Sequence, residues 1–136
     1  MKPLRIAIAE DEWLIAEGLR IQVEELGHTV VGVVSTGDGL IALTAGERPD
    51  VALVDIKLAR GSDGLAAARE VQERLGVPAV AVTGHLAADD ARSAGLLGML
   101  RKPWTSRALR AILAEVGSWR ERRDRRWHGA RPFLER

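Results

Sequence analysis

Short, almost purely apolar runs alternate along this chain with longer segments whose apolar residues recur at helical spacing. Residues 4–9 (LRIAIA), 28–35 (HTVVGVVS), 50–55 (DVALVD), 77–83 (VPAVAVT) and 97–102 (LGMLRK) read as strands. Their near-continuous apolar character marks strands covered on both faces. Between them, Ile15, Leu19, Val23 and Leu26 share one face of a helix over 12–26, with Gly27 placed to cap its end. A weaker helix is predicted from Gly37 to Glu47. Leu65, Ala68, Val71 and Leu75 mark a third, stopped by Gly76. A short Ala-rich helix is predicted over 86–94, and Leu109, Ile112, Leu113 and Val116 line a last one that Thr105 is positioned to N-cap. Five strands alternating with five helices predict an α/β fold, a doubly wound five-stranded parallel sheet with helices on both faces.

A length of 136 residues suits one domain with a real core, and 46% hydrophobic and 29% charged content is ordinary for a globular protein. No apolar run approaches the roughly 18 residues of a membrane span, and acidic residues follow the first strand too soon for a signal peptide. With no cysteine there is neither a disulfide framework nor a thiolate metal site. The expectation is a cytoplasmic protein without membrane contact. Charge is unevenly placed. From Gly117 onward seven arginines face Glu121, Asp124 and Glu135, a net of +4, which leaves −3 on residues 1–116. The chain therefore divides into a body, 1–118, and a basic Trp/Arg-rich extension, 119–136. Trp119 continues the last helical stripe, Trp127 lies eight residues on, and Glu121 with Arg125 makes an i, i+4 pair of the favourable order. Beyond Gly129 the expectation is a solvated, frayed end.

In a doubly wound sheet, ligands bind beyond the carboxyl ends of the strands. There the sequence places Glu10-Asp11-Glu12 after the first strand, Asp55 at the end of the third, Thr83 at the end of the fourth and Arg101-Lys102-Pro103 after the fifth. Clustered carboxylates repel unless a cation offsets them, and oxygen ligands without cysteine favour a hard ion such as Mg²⁺. Lys102 supplies a phosphate-pairing cation and Thr83 a hydroxyl donor. Together they describe a phosphoryl-transfer site with a carboxylate nucleophile. Each residue also has a plainer reading. The acidic triplet favours a helix N-terminus through the macrodipole, and for Glu12 that reading is preferred.

These residues, at these strand ends in this order, resemble the response-regulator receiver domain of bacterial two-component signalling, over roughly residues 4–116. The resemblance implies a flavodoxin-like strand order 2-1-3-4-5. It implies that Asp55 accepts a phosphoryl group from a histidine kinase, a histidine phosphotransfer protein or a small phosphodonor. Glu10, Asp11, the Asp55 carboxylate and the Lys57 carbonyl would hold Mg²⁺, Lys102 would pair with the phosphoryl group, and Thr83 would hydrogen-bond it. Such a protein is not an enzyme beyond its own phosphorylation and dephosphorylation. Met99 stands where the family usually has an aromatic switch residue, and Ala59 where it often has proline. Lys57 and His85 occupy positions that modulate dephosphorylation in the family. Response regulators often continue into an effector domain. The twenty or so residues after the body are too few for one, so a stand-alone receiver is expected. Its downstream protein partner is unidentified, and the last helix with the extension is a surface for a homodimer or docking. Three alternatives stand beside this reading. One is a receiver-like interaction module that is never phosphorylated. Another is an aspartate-nucleophile phosphohydrolase, disfavoured because Lys57 replaces the second aspartate. The third, nucleic-acid binding through the arginines, is a weak reading because acids are interspersed.

Overall fold

A computed structural model describes residues 2–84, 88–124 and 132–136. The chain runs β1 (Arg5–Ala9), α1 (Trp13–Glu25), β2 (Thr29–Val34), α2 (Gly37–Glu47), β3 (Val51–Asp55), α3 (Gly64–Leu75), β4 (Ala79–Thr83), α4 (Ala88–Ser93), β5 (Gly98–Arg101), α5 (Ser106–Asp124) and β6 (Leu134–Glu135). The described strands form one parallel sheet ordered β2-β1-β3-β4-β5-β6. The first five keep the expected order, and the sixth corrects the expected count.

That sixth strand also corrects the reading of the extension's end as frayed. Leu134 and Glu135 pair with Gly98 and Met99. The Leu134 N–H donates to the Leu97 carbonyl at 2.8 Å and the Arg136 N–H to the Met99 carbonyl at 3.0 Å. α5 runs on to Asp124 without a break at the edge of the body, and Trp119 is buried against the core. Arg125, Trp127 and His85 lie outside the described residues.

The strands alternate in side-chain size rather than polarity. Ile6, Ile8, Val51, Leu53, Val80, Val82 and Leu100 pack on one face with Leu19 and Val23 of α1 and Leu109, Ile112, Leu113 and Val116 of α5. On the other face Ala7, Ala9, Ala52, Ala79 and Ala81 sit with Leu40 of α2, Ala67, Ala68 and Val71 of α3 and Ala91 of α4. Each fully buried Leu or Ile contributes about 1.5–3 kcal/mol. Local signals end the helices where expected. The Thr36, Asp63 and Thr105 side chains accept from Gly39, Ala66 and Ala108 N–H groups, each three residues on. Gly76 closes α3 at φ 69°, where a side chain would be strained.

Just before the amino ends of β1 and β2, buried His28 accepts the Leu4 N–H on Nδ1 at 2.9 Å, while its Nε2 has no hydrogen-bond partner. Burial holds the imidazole below its usual pKa. The neutral ring therefore contributes stability that is present above the ordinary histidine pKa and lost as pH falls. Chemical unfolding between about pH 7 and pH 5 should show a smaller loss for His28→Asn, which can still accept the Leu4 N–H but cannot titrate.

Candidate functional site

The carboxyl ends of β1, β3, β4 and β5 open on one cleft of about 900 Å³. Its walls include Asp11, Asp55, Lys57, Thr83 and Lys102, with Leu14, Ile15 and Gly18 of α1 and Pro103 and Trp104 of the β5–α5 loop. Asp55 ends β3 because the buried run 51–55 carries it there, and it is only 8% exposed. One of its oxygens, Oδ1, accepts the Lys57 N–H at 3.1 Å. The other, Oδ2, takes the Lys102 ammonium at 3.2 Å, while the same ammonium reaches Glu10 Oε2 at 2.9 Å. Glu10 is buried beside Ala9, and Asp11, the next residue, is exposed. Glu10 Oε1 accepts the Glu12 N–H, a turn that opens α1.

Carboxylate oxygens of Glu10, Asp11 and Asp55 lie within 4.8 Å of one another. Burial above all pushes the Glu10 carboxyl up to about 7. Lys102 pulls the other way, and the neighbouring Asp55 charge adds to the rise. Desolvation works against the Lys102 ammonium, but Glu10 and Asp55 outweigh it and its pKa rises. The pocket thus carries more negative charge than one lysine offsets. Three oxygen donors, one open to solvent, fit a small hard cation that keeps some of its waters.

Thr83 is buried at 7% exposure on the cleft wall, and its carbonyl accepts the Lys102 N–H at 2.9 Å. Lys57 is exposed on the rim. Met99 is elsewhere, fully buried among Ala79, Ala81 and Leu96 on the α2–α4 face. Two residues escape a reading of the sequence. The Trp104 indole N–H donates to Gln22 Oε1 at 2.6 Å, tying the β5–α5 loop to α1 beside the site. Gly64 packs its backbone against the end of β3, its N–H donating to the Ile56 carbonyl at 2.8 Å.

Residues 6–114 match the family model of the response regulator receiver domain. The chain belongs to that family. The receiver is 35% identical over 123 residues to the transcriptional regulatory protein PdtaR of Mycobacterium tuberculosis, which covers 88% of this chain and 60% of the relative. The chain thus spans about 60% of that relative's length. Among solved structures it is similar to the response regulator PhyR of Brucella abortus, with TM-score 0.78 and 30% identity, covering 90% of this chain and 51% of that one. It also matches the signal receiver domain of a modulated diguanylate cyclase from Desulfovibrio desulfuricans G20, with TM-score 0.77 and 31% identity over 86% and 96% of the two chains. All three come from bacteria, and the first two are regulators by name, as bacterial two-component signalling implies. No described helix of the receiver is long and apolar enough to cross a membrane.

Proposed function

We propose that the receiver is a phosphoacceptor whose nucleophile is Asp55. An Asp55 carboxylate oxygen forms the new bond to phosphorus as the bond from phosphorus to the donor, a histidine nitrogen or an acyl oxygen, breaks. The leaving group departs with that electron pair. The observation that carries this reading is the Lys102 ammonium, which lines an open cleft with Asp55 and bridges Asp55 to buried Glu10. There it can follow the charge from carboxylate to phosphoryl oxygens. Glu10, Asp11, Asp55 and the Lys57 carbonyl would hold Mg²⁺, which when bound supplies charge compensation for the transferring group. Thr83 would donate its hydroxyl to the phosphoryl group. A histidine kinase or phosphotransfer protein is the donor partner. Trp13 and Leu14, 72% and 76% exposed at the start of α1, offer it an apolar landing beside the site.

Beryllofluoride with Mg²⁺ mimics the acyl phosphate and provides the test. Thermal unfolding of wild type should shift upward at saturating ligand, and Asp55→Asn should not respond. No shift in wild type would remove this reading and favour an interaction module that works without phosphorylation.

Lys57 sits on the rim two residues past the acceptor, where a cation can hinder an attacking water. Lys57→Ala should shorten the phosphoryl lifetime, measured by decay of labelled protein, and an unchanged lifetime would show that the side chain plays no such part.

A further inference from the structure

The β5 edge is shaped to receive a main chain. A Cβ built on Gly98 would come within 2.9 Å of the Leu134 Cβ and closer still to the Leu134 carbonyl oxygen. The missing side chain is what lets β6 lie there. Besides the bonds to Leu97 and Met99, the Arg101 N–H donates to the Arg136 carbonyl at 2.9 Å. The segment's side chains divide between the two layers. Phe133 packs on the α2–α4 face with the Arg92 guanidinium 4.8 Å over its ring, and Leu134 packs on the α1–α5 face. Two exposed ion pairs, Arg101–Glu135 at 2.7 Å and Arg136–Glu115, complete the attachment. Two residues of strand and exposed ion pairs hold far less strongly than the fully buried strands beside them.

The run that holds this segment also ends at the site. Arg101 bonds to Arg136 through its N–H, and the next residue is Lys102, tied by its N–H to Thr83 and by its ammonium to Glu10 and Asp55. A phosphoryl group on Asp55 would compete with Glu10 for this ammonium, one residue along the backbone from the Arg101–Arg136 bond. Met99, where an aromatic switch is usual, is locked in the core with its carbonyl bound to the segment. The weakest element on this edge is therefore β6.

Resting on the phosphoacceptor reading above, we propose that Leu134–Glu135 is the readout of the site: docked on β5 while Asp55 is free, released when it carries a phosphoryl group. Release uncovers the backbone donors and acceptors of residues 97–101 between α4 and α5. Linkage is reciprocal, so undocking the segment should strengthen binding at Asp55 by the same factor.

Amide hydrogen exchange of the full chain, followed by NMR with Mg²⁺ and with or without beryllofluoride, tests this. At saturation the Leu134 and Arg136 amides should exchange about tenfold faster or more, while the Leu53 amide in central β3 is unchanged. Two variants undock the segment independently: Gly98→Val fills its groove, and Leu134→Pro removes the N–H that binds Leu97. Both should reach half-saturation at a beryllofluoride concentration lowered by the factor seen in exchange. The inference is overturned if the Asp55 and Lys102 resonances shift on saturation while both tail amides keep their rates or slow. It also falls if both variants bind beryllofluoride as wild type does. Resonances of Asp55 and Lys102 that never shift would overturn the phosphoacceptor reading itself, and this inference with it.

Discussion

Gly64→Ala should lower the stability of this receiver by about 3 kcal/mol, near the upper end of ordinary overpacking, and its Tm by about 10 °C. A Cβ at this position would overlap the Asp55 carbonyl and stand 2.8 Å from the Ile56 carbonyl. Both neighbours are backbone, at the end of a strand with five buried residues, so neither can rotate away as a side chain would. Either α3 withdraws from the sheet or the end of β3 moves, and Asp55 moves with it. Beryllofluoride binding should weaken together with stability. The same exchange at Gly18, where a Cβ meets nothing within 4 Å, should instead gain about 0.5–1 kcal/mol from helix propensity. Thermal unfolding of the two variants side by side reads the contrast, and equal shifts would refute the packing account.

Lys102→Met has the second large effect. The ammonium is the common partner of two buried carboxylates, its side chain 18% exposed against 2% for Glu10 and 11% for Asp55. Losing one partner of a fully buried pair costs about 3–5 kcal/mol. Here the loss should be smaller, about 2 kcal/mol, because Glu10, already pushed up to about 7, takes a proton instead of standing as a bare charge. The raised Glu10 pKa means that its stabilisation is complete below the ordinary carboxylate pKa and declines as pH rises through about 7. Without Lys102 that decline should start at the same pH but extend to higher pH, since the pull that lowers the folded-state pKa is gone. Phosphorylation from a small donor should slow about 10²-fold or more, the usual cost of removing one preorganised charge from a transition state. A rate within twofold of wild type would show that Lys102 is structural only.

Much of this architecture was legible because the strands are apolar runs and the helices carry periodic faces with capping residues. The helix predicted from 12 to 26 spans Trp13–Glu25, and that predicted from 37 to 47 is found there. The meeting of Glu10, Asp11, Asp55 and Lys102 follows from topology, since parallel strands deliver all their ends to one edge. What was not legible has physical causes. A two-residue strand has no period to detect, and the cue for β6 lay far from it, in Gly98 on its neighbour. The Trp104–Gln22 bond joins residues 82 apart, and nothing in either local sequence anticipates the other. Met99 keeps its place in β5, but the sequence did not reveal that its carbonyl is bound by the chain's own C-terminal segment.

The central claim is that Asp55 accepts a phosphoryl group, and locating that group tests it most directly. Wild type and Asp55→Asn are incubated with acetyl phosphate, with Mg²⁺ or with chelator, then digested and weighed by mass spectrometry. Wild type should carry one phosphoryl group per chain, on the peptide that contains Asp55, present only with Mg²⁺ and absent from Asp55→Asn. A wild-type chain that gains no mass, or a group found equally on Asp55→Asn, would contradict it.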